Sequence, residues 1–334
     1  MSTATIDPSS VPARAASDAD AAIPGWLRDD SLGLVLATHP ADALVAEFGP
    51  ERVRACAIAE EAMVGMAIGA AVAGLHPLVD VVRSGFLFVA ADQILNHLAQ
   101  LRYLSDGQAR LQVTVKALTR VRYIDDPQPA AYGCFSGQPG LKVAIPGNSI
   151  DAPGLLRSAL DDPNPVLFFD SFELAPGPGQ GGGQVPLGQA RLLVRGADAT
   201  LVAVGATTVA ALGAARELAE QGVTCEVIDV LCLAPLDVAT ISQSLRRTGR
   251  LVVVDEAPYP APAAQQIVAT MLADDATFAS LRCAPRAVSA GAAPLPASPG
   301  LRRTLLPAVA DVVAVVLASV GASPPPAAAA PALP

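Results

Sequence analysis

Short apolar runs alternate along most of the chain with segments whose apolar positions recur every three or four residues. "LGLVLAT" (32–38), "RVRACAI" (52–58), "PLVDVV" (77–82), "LQVTVKAL" (111–118), "LKVAIP" (141–146) and "PVLFFDS" (165–171) read as buried strands. Between them the spacing predicts a helix over 60–74, another within "LFVAADQILNHLAQLRYL" (87–104), and one with a Ser cap in "SIDAPGLLRSALD" (149–161). The stretch "APGPGQGGGQVP" (175–186) interrupts the alternation, because no helix or core strand survives that density of Pro and Gly. Beyond it come strands "ATLVAVG" (199–205), "CEVIDVL" (225–231) and "RLVVVDEA" (250–257), with helices over 207–221, 237–247 and 262–273.

Strand–helix alternation of this kind predicts an α/β fold with two domains, each a mainly parallel sheet flanked by helices. The expected boundaries are an unstructured N-terminus (1–22), a first domain (23–174), a Gly/Pro linker (175–190), a second domain (191–321) and an Ala/Pro tail (322–334).

Composition narrows the function. A net charge of −9 argues against a nucleic-acid partner, although a local positive pocket remains open. With 4% aromatic residues, Ala, Val, Leu and Ile must fill the cores. Cys56, Cys134, Cys225, Cys232 and Cys283 form no CxxC pair, so no zinc site or disulfide framework is indicated. A secretory leader and a flanked membrane span are not read from the sequence, and the expected location is the cytoplasm. There is no GxxxxGK[ST], HExxH or GxSxG, and His39, His76 and His97 are the only histidines.

The small-residue helix is the most informative segment. Glu60 and Glu61 stand at its start, where acids meet the positive end of the helix dipole. Neighbouring helix positions point about 100° apart, so the two cannot share one environment. Gly65 and Gly69 have the four-residue spacing that permits close approach of another helix. A carboxyl opening such a helix is partly desolvated and suited to hold or exchange a proton; from the residues alone the ordinary first-turn acid is the favoured reading.

"RVRACAIAEEAMVGMAIGAAVAGLHPLVDVV", "FLFVAADQILNHLAQLRYLSDG" and "PGLKVAIPGNSIDAPGLLRSALDDPNPVLFFDSFEL" resemble, in the same order, the beta subunit of thiamine-diphosphate-dependent 2-oxoacid dehydrogenases. "GADATLVAVGATTVAALGAARELAEQGVTCEVIDVLCLAPLD" and "TGRLVVVDEA" are similar to its transketolase-like C-terminal domain. The resemblance implies a subunit that decarboxylates or cleaves a 2-oxo substrate and passes the acyl or ketol unit to a carrier. The other readings are a split transketolase half acting on a ketose phosphate, and a non-catalytic scaffolding subunit.

Matching the family's "ISEAxFVGxAxG" to "IAEEAMVGMAIG" puts on Glu60 the acid that hydrogen-bonds the aminopyrimidine of thiamine diphosphate and promotes its imino tautomer. Glu61 falls where relatives carry a small residue, and Phe86 matches the aromatic that stacks on the pyrimidine. "DDPNP", with Asp162 and Asn164, corresponds to a loop that helps hold a structural potassium ion in relatives, although a simple turn also explains it.

The GDG…N motif that holds Mg²⁺ and the diphosphate is not found in this sequence. The resemblance therefore implies an alpha-type partner that carries it, in a heterotetramer, with a lipoyl or acyl-carrier protein as acceptor. The substrate side departs from the family: Pro127 and Gly137 stand where relatives have histidines. The rebuilt segment offers Lys116, Arg120 and Arg122 as groups for a phosphate or carboxylate, or else as solvated loop charges.

Overall fold

The computed structural model describes residues 17–38, 41–120, 130–177 and 183–321. The chain opens with a 3-10 turn, Ala19–Ala21, that runs into α1 (Ala22–Asp29). Then follow β1 (Gly33–Ala37), α2 (Asp42–Phe48), β2 (Val53–Ala55), α3 (Glu60–Val72), β3 (His76–Val81), α4 (Leu101–Leu104) and β4 (Thr114–Arg120). α5 (Tyr132–Phe135), β5 (Lys142–Ala144), α6 (Ala152–Leu160) and β6 (Val166–Ser171) complete the first half. The second half holds β7 (Arg191–Val194), β8 (Ala199–Ala203), α7 (Thr208–Glu220), β9 (Cys225–Asp229), β10 (Cys232–Ala234), α8 (Val238–Thr248) and β11 (Leu251–Pro258). It ends with α9 (Pro262–Leu272), α10 (Asp275–Ala279), β12 (Arg286–Ala290), α11 (Pro299–Leu305) and α12 (Val309–Val320).

Two sheets result, with orders β10-β5-β6-β4-β3-β1-β2 and β12-β11-β8-β9-β7. Both are parallel except for one edge strand each: β10 runs antiparallel to β5, and β7 antiparallel to β9. β10 comes from the second half of the sequence and still completes the first sheet, so the linker at 175–190 does not separate the two sheets cleanly.

Period-2 alternation sorts each strand between two cores. In β1, Val35 and Ala37 pack with Trp26, Leu27 and Leu155 of α1 and α6, while Leu34 and Leu36 pack with Met63, Val64 and Ala67 of α3. In the second sheet Leu201 and Ala203 meet α7 and α12, and Val202 meets the side held by α8 and α9. The α3 side of the first sheet and the α8–α9 side of the second belong to one continuous apolar core. An apolar seam of this kind holds the two halves in register.

Several expectations are corrected. Residues 17–22, read as unstructured, are folded: Ser17 and Ala19 are buried, and α1 buries Trp26 completely. The sequence hides this because Ala-rich, Asp-spaced composition resembles a disordered end until Trp26 is placed. The segment 87–104 is not one helix but a 3-10 turn (Ser84–Phe88), a π turn (Gln93–Leu98) and the short α4. α6 is not capped by Ser149: the Asn148 side chain accepts the Asp151 N–H, and Pro153 sits in the first turn. The stretch Pro299–Val320 is, on length and composition, apolar enough to cross a membrane, which the sequence reading did not single out. Here it breaks into α11 and α12, and α12 lays Val312, Val313, Val316 and Leu317 on the second sheet's core. The tail after Gly321 lies outside the described residues.

Candidate functional site

In a parallel sheet, ligands collect beyond the carboxyl ends of the strands. In the first sheet Glu60 follows β2, Phe86 follows β3 and Arg120 closes β4, so all three lie at that edge. Chain connections leave β1 toward β2 and β3 toward β4, in opposite directions, which makes the β1/β3 boundary the switch point.

Glu60 is the first residue of α3, follows Ala59 as N-cap, and is 4% exposed. Its neighbour Glu61 is exposed, as the angular argument requires. The Glu60 Oε1 atom is buried and has no hydrogen-bond partner among the described residues. Leaving a buried acceptor unmet costs about 1–3 kcal/mol, and more for a charged group. Oε1 is thus an acceptor, or when protonated a donor, open to a group from outside the described residues. This is the fit expected of a residue that holds a nitrogen heterocycle by a carboxyl–ring hydrogen bond.

Gly65 faces the π turn Gln93–Leu98 of this chain rather than a long α-helix. A Cβ there would stand 3.4 Å from Gln93 Oε1 in the π turn, whereas around Gly69 nothing lies within 4 Å. The outer side of α3 is open and apolar, with Met66 52% and Val72 56% exposed, and Ile58 before the helix 73% exposed.

Phe86 sits half-buried in the 3-10 turn after β3, with the Arg83 guanidinium 4.2 Å from its ring centroid. Sequence reasoning missed Arg83; its position three residues before an aromatic in a turn was the available signal. Phe88 stacks on Phe135 at 5.9 Å.

The proposed cationic loop divides. Lys116 is not a loop residue: it lies inside β4, fully buried. Its Nζ stands 2.7 Å from Asp20 Oδ1, 3.4 Å from Asp170 Oδ2 and 3.6 Å from Asp80 Oδ2. Strand register explains the cluster, since Asp80 of β3 is opposite Lys116, and Asp170 of β6 is opposite Leu118. Ser17 Oγ adds a hydrogen bond to Asp170 Oδ2. Burial pushes the Asp170 carboxyl up, against the lowering by Lys116 and Ser17. This amine is engaged by carboxylates and is withdrawn as a substrate group. Arg120 ends β4 in its backbone, and Arg122 and Pro127 lie outside the described residues.

Asp162 and Asn164 do come together, but their oxygens are taken. Asp162 Oδ2 accepts from Lys142 Nζ, and Asp162 Oδ1 accepts from the Asn164 N–H at 2.9 Å and its amide at 3.1 Å. Arg102 Nη1 donates to Asn164 Oδ1 at 2.6 Å and to the Pro163 carbonyl at 3.0 Å. Two protein cations face the oxygens that a potassium ion would need, so the loop reads as an ion-paired turn. It also precedes β6, at the edge of the sheet opposite Glu60.

Polar bonds fasten the halves near the site. Tyr132 donates to Asp255 Oδ1 at 2.6 Å, and Asp255 also accepts the N–H groups of Ala257 and Ala264. Asp229 Oδ2 accepts from the Gly147 N–H at 2.9 Å and from the Asn148 amide at 3.0 Å; burial pushes its carboxyl up to about 7. Gly147 is required by space, because a Cβ would fall 2.1 Å from Thr208 Oγ1.

Residues 33–106 match the family "Transketolase, pyrimidine binding domain" and 188–312 match "Transketolase, C-terminal domain". The chain is 36% identical over 298 residues to the acetoin:2,6-dichlorophenolindophenol oxidoreductase subunit beta of Bacillus subtilis, covering 88% of this chain and 86% of that one. It is 37% identical over 286 residues to the pyruvate dehydrogenase E1 component subunit beta of Rhizobium meliloti, covering 82% of this chain and 61% of that longer one. Among solved structures, one described as a split gene transketolase, inactive beta4 tetramer, superposes with a TM-score of 0.77 at 21% identity. It covers 91% of this chain and 97% of that chain, and at such identity it speaks to the fold alone.

Proposed function

This chain belongs to the transketolase-like beta subunits typified by those of pyruvate dehydrogenase E1 and acetoin oxidoreductase, and from that premise we propose how its own residues serve a thiamine-diphosphate site. The observation that carries the reading is the buried, unpartnered Oε1 of Glu60 at the carboxyl edge of the first sheet. Thiamine diphosphate, when bound, supplies a nucleophilic carbon that attacks a 2-oxo substrate and takes up the electrons of the broken carbon–carbon bond. Glu60 holds the pyrimidine ring through Oε1 and exchanges a proton with it there. Burial at the start of α3 keeps bulk water from competing for that hydrogen bond. Phe86 offers an apolar ring face to the pyrimidine, and the Arg83 guanidinium over the same ring helps fix it and adds positive charge. Arg83 follows β3 and Arg120 closes β4 on this edge, and they are the groups proposed to meet the anionic end of the substrate.

The diphosphate and its Mg²⁺ are assigned to an alpha-type partner, because the sequence has no GDG motif. The apolar outer side of α3, with Ile58, Met66 and Val72, is the surface proposed to be covered in that assembly. The acyl or ketol unit then passes to a lipoyl or acyl-carrier acceptor.

Calorimetry with thiamine diphosphate and Mg²⁺ tests this division of labour. The chain alone should show no tight binding, and mixing with an alpha-type partner should produce it. Tight binding to the isolated chain would overturn the two-chain site.

A further inference from the structure

The edge of the first sheet opposite Glu60, where the strands begin, carries a cavity of about 380 Å³. That volume falls in the range of sites for small ligands. Leu32, Leu75 and Pro163 supply an apolar wall; His76, Arg102 and Arg110 supply the polar one. No acidic residue lines it, in a chain whose net charge is −9.

The cations are not cancelled nearby. Arg102 donates only to neutral oxygens, the Pro163 carbonyl and the Asn164 amide. Arg110 is exposed and has neither a hydrogen bond nor an ion pair among the described residues. Asp162, the carboxylate in the adjoining turn, is engaged by Lys142. Asp30 accepts from His76 Nδ1 at 2.6 Å, which fixes the ring at the cavity wall. A guanidinium with free N–H groups matches phosphate and carboxylate oxygens in shape and charge.

The geometry points to a binding site for a small organic anion, its phosphate or carboxylate head on Arg102 and Arg110 and its apolar body against Leu32, Leu75 and Pro163. The site is separate from the thiamine site. α3 starts at Glu60 on one edge and ends beside this cavity, where Ala71 and Gly74 line it. Thirteen helical residues span about 20 Å. An occupant therefore touches the far end of the helix that carries Glu60, which is the position of an effector rather than a substrate. The effector role rests on the reading of Glu60 as the thiamine contact; binding of an anion in the cavity does not, so that binding and the thiamine reading can fail separately.

The test is calorimetric titration of the cofactor-free full chain, and of its complex with an alpha-type partner, with inorganic phosphate, glycerol 3-phosphate and isovalerate. One of the two organic anions should bind more tightly than inorganic phosphate, and added salt should weaken it. Arg110→Ala, an exposed change that leaves the fold intact by circular dichroism, should weaken binding about 10-fold or more. A preference for glycerol 3-phosphate assigns a phosphate head, and a preference for isovalerate a carboxylate. Unchanged affinity in Arg110→Ala, no binding of any probe, or inorganic phosphate binding as well as both organic anions would overturn the site. Binding to the chain but not to the complex would overturn it for the assembled enzyme.

Discussion

Two glutamates, one in each half of the molecule, are buried almost equally: Glu60 is 4% exposed and Glu226 is 2% exposed. Glu226 lies in β9, and its Oε2 accepts from Ser244 Oγ at 2.5 Å and Arg247 Nη2 at 2.6 Å. Ser244 in turn bonds Thr200, which bonds Thr248, so protein groups extend the network on from Glu226. Glu60 lies at a strand-end edge, and its Oε1 has no partner among the described residues. Burial alone therefore does not separate a structural carboxylate from a functional one. The difference is whether the fold supplies the partner, because a buried acid that the fold leaves unmet is destabilising unless something else meets it.

The largest effect should come from Glu60→Gln, which keeps shape and packing but cannot exchange a proton at Oε1. General acid–base help of this kind is worth about 10²- to 10⁴-fold. Exchange of the C2 hydrogen of bound thiamine diphosphate for deuterium, measured in the complex with an alpha-type partner, reads the proton step without the unidentified substrate. Exchange at the parent rate would remove Glu60 from the mechanism and leave the comparison without its functional member.

Glu226→Gln should do the reverse. Losing the charge weakens two charge-assisted hydrogen bonds, and stability should fall by about 2 kcal/mol in urea unfolding. Deuterium exchange in the folded complex should stay at the parent rate. A slowed exchange in this variant would mean that the network in the second half acts on the site, and that the contrast between the two glutamates is misdrawn.

The fold was legible in the sequence wherever strands are buried on both faces, because runs such as "PVLFFDS" and "RLVVVDEA" leave little alternative. Short or half-exposed edge strands, β7, β10 and β12, gave no such signal and were missed. Glu60 was legible through its place in a motif. Its burial became visible only once β1, β3 and α3 were packed together. Lys116 was misread because a lysine in an apolar strand looks like the start of a loop when its counter-ions lie on other strands. Asp80 and Asp170 stand in equally apolar runs, and three such charges on neighbouring strands are mutually explanatory only after the strand order is known. Asp20 could not be foreseen, since it reaches Lys116 from a segment whose composition reads as unstructured.

The smallest effect tests the comparison at closest range, one residue along the same helix. Glu61 is exposed in the first turn of α3, so its carboxylate meets the positive end of the helix dipole through solvent. Screening and hydration leave such a contact only a few tenths of a kcal/mol, near the lower end for exposed dipole pairs. Glu61→Gln should therefore lower stability by about that amount, with the loss shrinking as salt is added. Deuterium exchange at C2 should match the parent, because the exposed Glu61 points away from the buried Glu60 oxygen. Equal slowing in Glu60→Gln and Glu61→Gln would assign the effect to the charge of the helix start as a whole. Slowing in Glu60→Gln alone assigns it to the buried Glu60 Oε1, which is unmet among the described residues.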